Sequence, residues 1–396
     1  MRFKLTIFLF FISIITNAQF KISGKIIDNE TQKPLEGISI FLSHTTNGTV
    51  SNSKGDFQLD HLKPGKYELV ATSLNYEDNI ISIQVSQTNE QLIIKLNPTA
   101  NQLKEVVVES YDENGWDKWG ESFTSYFIGT PELSKNCVFK NPEVLKFKFG
   151  TNSNKLRAFT NDKLIFENAA LGYRIIYLLS KFEIDFNNNT FSFKGYPLFE
   201  ELKSDNTKQK STEWNKARNE TYKGSLRHFI RSLYNNQLVK DGFEIRKVKT
   251  VSREEEYRVK EVLKHISSNV NKDSMDYYTK VRNLSFDENK VTLNTILSRD
   301  SIISNSSDPN AKILNFPDYL QVLYLYKKVP KEFAKTLPAY RGYELTKTDI
   351  NLRTNSPIFI YANGNYYNGL ELLTDGYWAW CEKVSTMLPS DYLPIK

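Results

Sequence analysis

The sequence predicts an N-terminal all-β antiparallel sandwich followed by an α+β domain. Three observations predict it. From Phe20 to about Leu96, short runs of alternating apolar and polar residues are separated by turn formers and carry no helical period. Beyond Val144 further strand-like runs follow, and after Ser211 the period switches to 3.6 in two stretches. Ahead of everything, MRFKLTIFLFFISIITNAQ has a basic start at Arg2 and Lys4, an apolar run from Leu5 to Ile15, and Ala18 before a polar Gln19. That layout is a cleavable secretory signal peptide over residues 1–18, so the rest is expected to act outside the cytoplasm, in the periplasm or at the outer membrane or cell surface.

The apolar run is shorter than the roughly 20 residues that span a bilayer. The greasiest later segments, Tyr173 to Leu179 and Tyr319 to Tyr326, are short and closely followed by lysine, so no transmembrane segment is expected after the leader. Neither Cys137 nor Cys381 follows the leader directly, and the usual start of a lipid-anchored lipoprotein is missing. Export permits these two cysteines to pair, but a large aromatic core built from 22 Tyr, 25 Phe and 5 Trp does not need the bridge, and both states stay open. Losing Arg2 and Lys4 leaves 50 basic residues against 46 acidic ones, which lowers the formal charge from +6 to +4. The excess is mild and spread along the chain, and with export it argues against a nucleic-acid partner.

Within the first domain the strands read as Lys21–Ile26, Ile38–Leu42, Asp56–Leu59, Lys66–Ala71, Ile81–Val85 and Gln91–Leu96. Pro34, Gly37, Asn47-Gly48, Lys54-Gly55-Asp56 and Pro64-Gly65 punctuate them. The order Gly24-Lys-Ile-Ile-Asp28, Pro34-Leu-Glu-Gly37-Ile-Ser-Ile40, Ser53-Lys-Gly55-Asp-Phe57, Leu62-Lys-Pro-Gly65-Lys-Tyr67 and Ser73-Leu-Asn-Tyr76 resembles the carboxypeptidase-regulatory-like domain of exported Bacteroidota proteins. The resemblance implies a transthyretin-like sandwich over residues 19–98; beyond it the sequence reads as a linker over 99–120 and an α+β domain over 121–396. Gln102-Leu-Lys-Glu-Val-Val-Val108 is similar to the stretch that follows this domain in TonB-dependent receptors. No series of ten-residue alternating strands follows to build their barrel.

The family's name does not carry peptidase chemistry with it. Zinc peptidases need His-x-x-Glu or His-Glu-x-x-His. Here His44 is followed three residues on by Asn47, His61 by Pro64, His228 by Arg231 and His265 by Ser268. No metal cluster, no glycine-rich phosphate loop and no Gly-x-Ser-x-Gly elbow is written, so neither cofactor nor catalytic residue is assigned. Glu200-Glu201 are adjacent and point in different directions, unlike a glycosidase pair.

The second domain opens with Val144–Phe149, Leu156–Thr160, Leu164–Glu167, Tyr173–Leu179, Phe182–Phe186 and Thr190–Lys194, an antiparallel meander with a turn at Asn187 to Asn189. A helix is expected from Ser211 or Thr212 to about Asn236, stopped by Asp241-Gly242. A second is capped by Ser252-x-x-Glu255 and carries Val259, Val262, Leu263 and Ile266 on one face, with Glu254–Arg258 and Glu256–Lys260 pairs on the other. Strand character returns at Tyr319–Lys327 and in a hairpin from Ile358 to Tyr367 turning at Asn363-Gly364. A last helix is expected from about Asp375. The tryptophan and Gly-Tyr motifs of this region, such as Gly376-Tyr-Trp-Ala-Trp380, resemble the long extension of exported Bacteroidota proteins that carry this sandwich, and imply no activity.

Two residue groups are candidate binding sites. Arg227, His228 and Arg231 place two guanidiniums one helical turn apart, enough to grip a carboxylate or phosphate, with a solvated basic face as the plain alternative. Trp116, Trp119, Trp378 and Trp380, if exposed, would stack on sugar rings or anchor a protein; otherwise they fill the core. His265 is explained by attraction to its helix C-terminus. The expected role is an exported, non-catalytic cell-envelope adaptor or binding protein with a protein or glycan partner. The alternatives are a hydrolase with a dispersed site in the second domain and an accessory to TonB-linked uptake.

Overall fold

The computed structural model describes residues 20–85, 91–99, 111–203, 207–265, 271–284, 289–337, 344–354, 356–367 and 369–395. The leader, the valine run Gln102–Val108 and Ile266 lie outside the described residues. The first domain comprises β1 (Phe20–Asp28), β2 (Ser39–Leu42), β3 (Gly48–Val50), β4 (Asp56–Leu62), β5 (Gly65–Ser73), β6 (Tyr76–Val85) and β7 (Gln91–Leu96). One sheet runs β4-β1-β7 and the other β3-β2-β5-β6. Ile26, Ile40, Leu42, Leu59 and Leu69 fill the space between them. All pairs are antiparallel except β1 with β7, which run parallel from Ser23 opposite Gln91 to Asp28 opposite Leu96. The chain crosses from one sheet to the other between β6 and β7, so no hairpin dictates the direction of β7.

The body follows. Its first helix, α1 (Gly115–Phe127), begins inside the stretch read as linker. After α2 (Pro131–Ser134) come β8 (Cys137–Phe139), β9 (Leu145–Gly150), β10 (Lys155–Thr160), β11 (Leu164–Asn168), β12 (Tyr173–Asp185) and β13 (Thr190–Glu201), the antiparallel sheet called the meander below. It departs from the sequential pairing expected, because β10 and β11 both pair with β12 instead of each other and β8, not read in the sequence, adds beside β11. The sheet order is β8-β11-β12-β10-β9, with β13 also on β12. β12 unites two expected strands across an irregularity between Leu179 and Lys181, opposite Gly195 and Lys194. Phe123 and Phe127 of α1 are fully buried on this sheet.

Next are α3 (Thr207–Tyr222), α4 (Leu226–Tyr234), α5 (Leu238–Asp241), β14 (Phe243–Thr250), α6 (Arg253–Lys264), α7 (Lys272–Arg282) and β15 (Lys290–Ile296). They are followed by β16 (Ile303–Asn305), β17 (Ala311–Leu314), β18 (Tyr319–Lys328), α8 (Lys331–Ala334), β19 (Leu345–Leu352), β20 (Ile358–Tyr361), β21 (Tyr366–Tyr367), β22 (Leu372–Gly376) and α9 (Tyr377–Cys381). Among the described residues these strands make two further sheets, β15-β14-β18-β19-β22 and β16-β17-β20-β21. The apolar face of α4, with Phe229, Ile230 and Leu233, is buried in the core that both sheets share.

At α6 the Ser252 hydroxyl accepts from the Glu255 amide at 3.2 Å, the expected cap, and Val259 is fully buried. The wet-face pairs are Glu255 with Arg258 and Glu256 with Arg253, three apart rather than the expected four. His265 caps the C-terminal end of α6, its N–H reaching the Val262 carbonyl. Cys137 and Cys381 are free, and burial pushes both thiols up.

Candidate functional site

A sheet with one free face shows alternating burial, but Leu69, Val70 and Ala71 in β5 are all buried. The reason is the body. Phe41 and Val70 leave the sandwich on its outer face and pack with Tyr196, Leu178 and Leu198. The loop between β2 and β3 then lies along β13: the His44 amide donates to the Pro197 carbonyl at 2.7 Å, and the Phe199 amide to the Thr45 carbonyl at 3.0 Å. Thr46 donates to the Asp391 carboxylate from its amide and its hydroxyl, and the Ser390 amide reaches the His44 carbonyl.

This docking leaves a half-open cavity of about 730 Å³ at the junction. The sandwich contributes Ser43, His44 and Glu68. The meander contributes Phe193 and Lys194, the N-terminal turn of α4 contributes Arg227, the Asn363-Gly364 hairpin contributes Tyr366 and Tyr367, and the C-terminal segment contributes Glu382, Lys383 and Met387.

Two glycines position the wall. Gly224 takes φ +76°, and a Cβ there would lie 2.5 Å from the Tyr324 ring. It therefore ends α3 and starts α4 on a new axis, with the Ser225 hydroxyl accepting from the His228 amide. Gly224→Ala is expected to cost at least about 2 kcal/mol, read by urea unfolding, because the conformation and the space both exclude a methyl group. Gly364, at φ +81°, lets the hairpin cross α4; a Cβ would sit 2.7 Å from Cγ of Arg227.

The electrostatics of the wall follow from burial. His44 is desolvated and faces the charge of Arg227, which together push it down to about 3; its Nδ1 meets the Ser43 hydroxyl at 2.9 Å. Burial lowers Arg227 to about 10 with help from Arg231, against the pull of Glu382. Burial raises Glu382, whose carboxylate accepts from the Leu226 amide at 2.8 Å, and pushes Tyr366 up to about 12. Lys383 is 7% exposed, is lowered by burial to about 8, and holds its ammonium 3.6 Å from the centre of the Phe191 ring. Arg227 forms no ion pair among the described residues, and its Nη1 is buried without a hydrogen-bond partner.

Residues 22–108 match the family model described as CarboxypepD_reg-like domain. The sandwich is a carboxypeptidase-regulatory-like domain. The match stops at residue 108 of 396, so it leaves the body unassigned. No curated protein matches the chain. Among solved structures, a chain of the type II cohesin–X-dockerin complex of Acetivibrio cellulolyticus is 23% identical over 19% of this chain and 56% of its own, with a TM-score of 0.18. The present chain thus spans little more than half of that one. The 5-hydroxyisourate hydrolase of Klebsiella pneumoniae is 22% identical over 20% of this chain and 92% of its own, also at 0.18. A candidate carbohydrate binding protein from Bacteroides uniformis is 12% identical over 46% of this chain and 78% of its own, again at 0.18.

The carboxypeptidase-regulatory-like domain supplies Ser43, His44 and Glu68 to the cavity, and the body supplies the rest. Of the expected cationic group, only Arg227 lines it. Arg231 is 8% exposed and spends its guanidinium on three carbonyls, those of Asn363, Ser390 and Tyr392. His228 packs among Tyr222, Phe243 and Tyr324, its Nδ1 accepts from the Gly224 amide, and burial lowers it to about 4. The three residues form neither one anion grip nor a solvated face, because the polar side of α4 is covered by the hairpin and the C-terminal segment, which take up Arg231, while His228 turns into the aromatic cluster.

The tryptophans are also separated. Trp116 packs on Phe139 and Phe147, and Trp119 stacks on Phe149 with its indole donating to Asp112, both against the meander. Trp378 is 3% exposed and donates to the Gly224 carbonyl, while Trp380 lies against Phe333 and Tyr377 in the second core. The four indoles make no common surface. Glu200 and Glu201 part as expected, toward Arg174 and Arg218. Sequence reasoning missed His44 as a cavity residue, along with Glu68, Glu382 and Lys383. The readable trace was Glu382-Lys383, two charges embedded in the apolar run from Trp378 to Val384.

Proposed function

We propose that the chain is an exported cell-envelope binding protein whose ligand, a small molecule or the end of a glycan, occupies the cavity between the carboxypeptidase-regulatory-like domain and the body. The observation that carries this reading is a cavity of about 730 Å³, within the range of ligand sites, walled jointly by both domains and lined by charged side chains that make no ion pair with one another among the described residues, Arg227 with one nitrogen buried and unpartnered. Envelope residence rests on the leader and the domain resemblance. The test is thermal unfolding of the intact protein against a panel of envelope-derived glycans and small metabolites. A ligand of the cavity raises the melting temperature, and Met387→Trp, which fills the cavity from the C-terminal wall, removes the rise. A panel in which no compound shifts the melting temperature overturns it.

One observation favours a hydrolase as the second reading: titratable groups displaced by burial gather in a cleft. Binding is preferred because a histidine held near 3 is a weak base at neutral pH, and no carboxylate orients it. Saturable hydrolysis of a glycoside or ester, abolished by Glu382→Gln, would reverse that preference.

A further inference from the structure

On the reading that the cavity is a ligand site, we propose that its occupant is an acidic saccharide, with one carboxylate seated at Arg227 and the sugar body lying against Phe193 and Tyr366. The other charged groups near the cavity have partners of their own. Lys194 and Lys66 both act on the Glu68 carboxylate, which answers the charge of one of them. Glu371 accepts from the Thr354 hydroxyl at 2.6 Å. Arg231 is saturated by backbone carbonyls. Lys383 rests on the Phe191 ring.

Arg227 is what remains. It carries a planar fork of N–H donors, lines the cavity, makes no ion pair among the described residues and has one nitrogen buried without a partner. A buried guanidinium donor left unmade is costly, and the fork matches the two oxygens of a carboxylate. The adjacent start of α4 does not compete for the anion, because the Ser225 hydroxyl already accepts from the His228 amide and the Glu382 carboxylate from the Leu226 amide.

The charge of the ligand follows from Glu382, whose position close enough to act on Arg227 suits a carboxylate monoanion and works against the second charge of a phosphate dianion at the same guanidinium. The body of the ligand follows from the remaining wall. Phe193 and Tyr366 are only partly buried there and line the cavity with the polar side chains of Asn365 and Lys194 beside them. Aromatic faces with a polar rim complement the apolar faces and hydroxyl edges of a sugar ring. The volume leaves room for more than one such ring.

Titration calorimetry of the intact protein with a galacturonic acid disaccharide, maltose and inorganic phosphate tests this. The acidic disaccharide is expected to bind best, and Arg227→Gln to weaken it tenfold or more, the loss of a charge-assisted hydrogen bond pair. Arg227→Lys, which keeps the charge without the fork, is expected to recover only part of the loss. Unchanged thermal unfolding of both variants shows that the fold persists. Equal binding of maltose, equal or better binding of phosphate, no binding of any of the three, or an Arg227→Gln variant with full affinity overturns the assignment. Met387→Trp separates the two levels. If it abolishes binding of maltose, the cavity remains the site and only the acidic saccharide falls; if a bound disaccharide is unaffected by it and by Arg227→Gln, both readings fall.

Discussion

Phe123→Ala is expected to destabilise the protein by about 4 kcal/mol, the largest single effect among the substitutions considered. The ring is fully buried where α1 meets the meander, with centroids of Phe182 at 4.7 Å, Phe127 at 4.9 Å, Phe147 at 5.8 Å and Phe139 at 6.1 Å. Truncation removes the transfer energy of the ring and leaves a void that four other rings border, and aromatic neighbours collapse poorly into such a space. Val138→Ala, in the same sheet but 57% exposed, is expected to stay within about 0.5 kcal/mol. Denaturant unfolding checks both, and equal effects would show that α1 does not hold this core together.

Acidification from pH 7.5 to 5 is expected to remove about 4 kcal/mol through two histidines. His44 and His228 have an ordinary value of 6.5 and are held in the fold at about 3 and about 4, in each case mainly by burial. As pH falls, the unfolded chain therefore takes up these protons first. Stability is intact above 6.5 and declines below it until the folded values are reached. At pH 5 each histidine is 1.5 units below its unfolded value, worth about 2 kcal/mol at about 1.4 kcal/mol per unit. Glu68 and Glu382, raised by burial, act with the opposite sign and soften the total slope. The measurement is therefore a difference: His228→Gln is expected to lose about 2 kcal/mol less than the wild type over that interval, and parallel curves would rule out a buried neutral imidazole.

Six of the seven strands of the sandwich were legible from short apolar–polar alternation, as were β9, β10 and β11 between Leu145 and Asn168; β3 was not, because its Gly48 reads as part of a turn with Asn47. The helix expected up to Asn236 is two helices on different axes, since the requirement for a left-handed turn at Gly224 comes from Tyr324, a hundred residues away. α7 was missed because its cap, Asn271, whose side chain accepts from the Ser274 amide, closes a polar stretch that reads as loop. The helix from Asp375 shrinks to Tyr377–Cys381 because the chain must extend at Glu382 and Lys383 to reach the cavity and then bury Val384 and Leu388 in the first body core. Of the site, Arg227 carried a recognisable chemistry in sequence. His44, Glu68 and Glu382 acquire theirs only when the outer face of β5 meets Tyr196, an event with no local period to announce it.

The contact between Thr46 and Asp391 joins residues 345 positions apart. Domains fold in order as a chain is made, N-terminal first. The sandwich therefore has its own core in place long before Asp391, Ser390 and Glu382 exist to meet its β2–β3 loop. Completion of the cavity therefore waits on residues made long after the sandwich, and a chain truncated before Glu382 would yield a first domain with its own core and no pocket beside it.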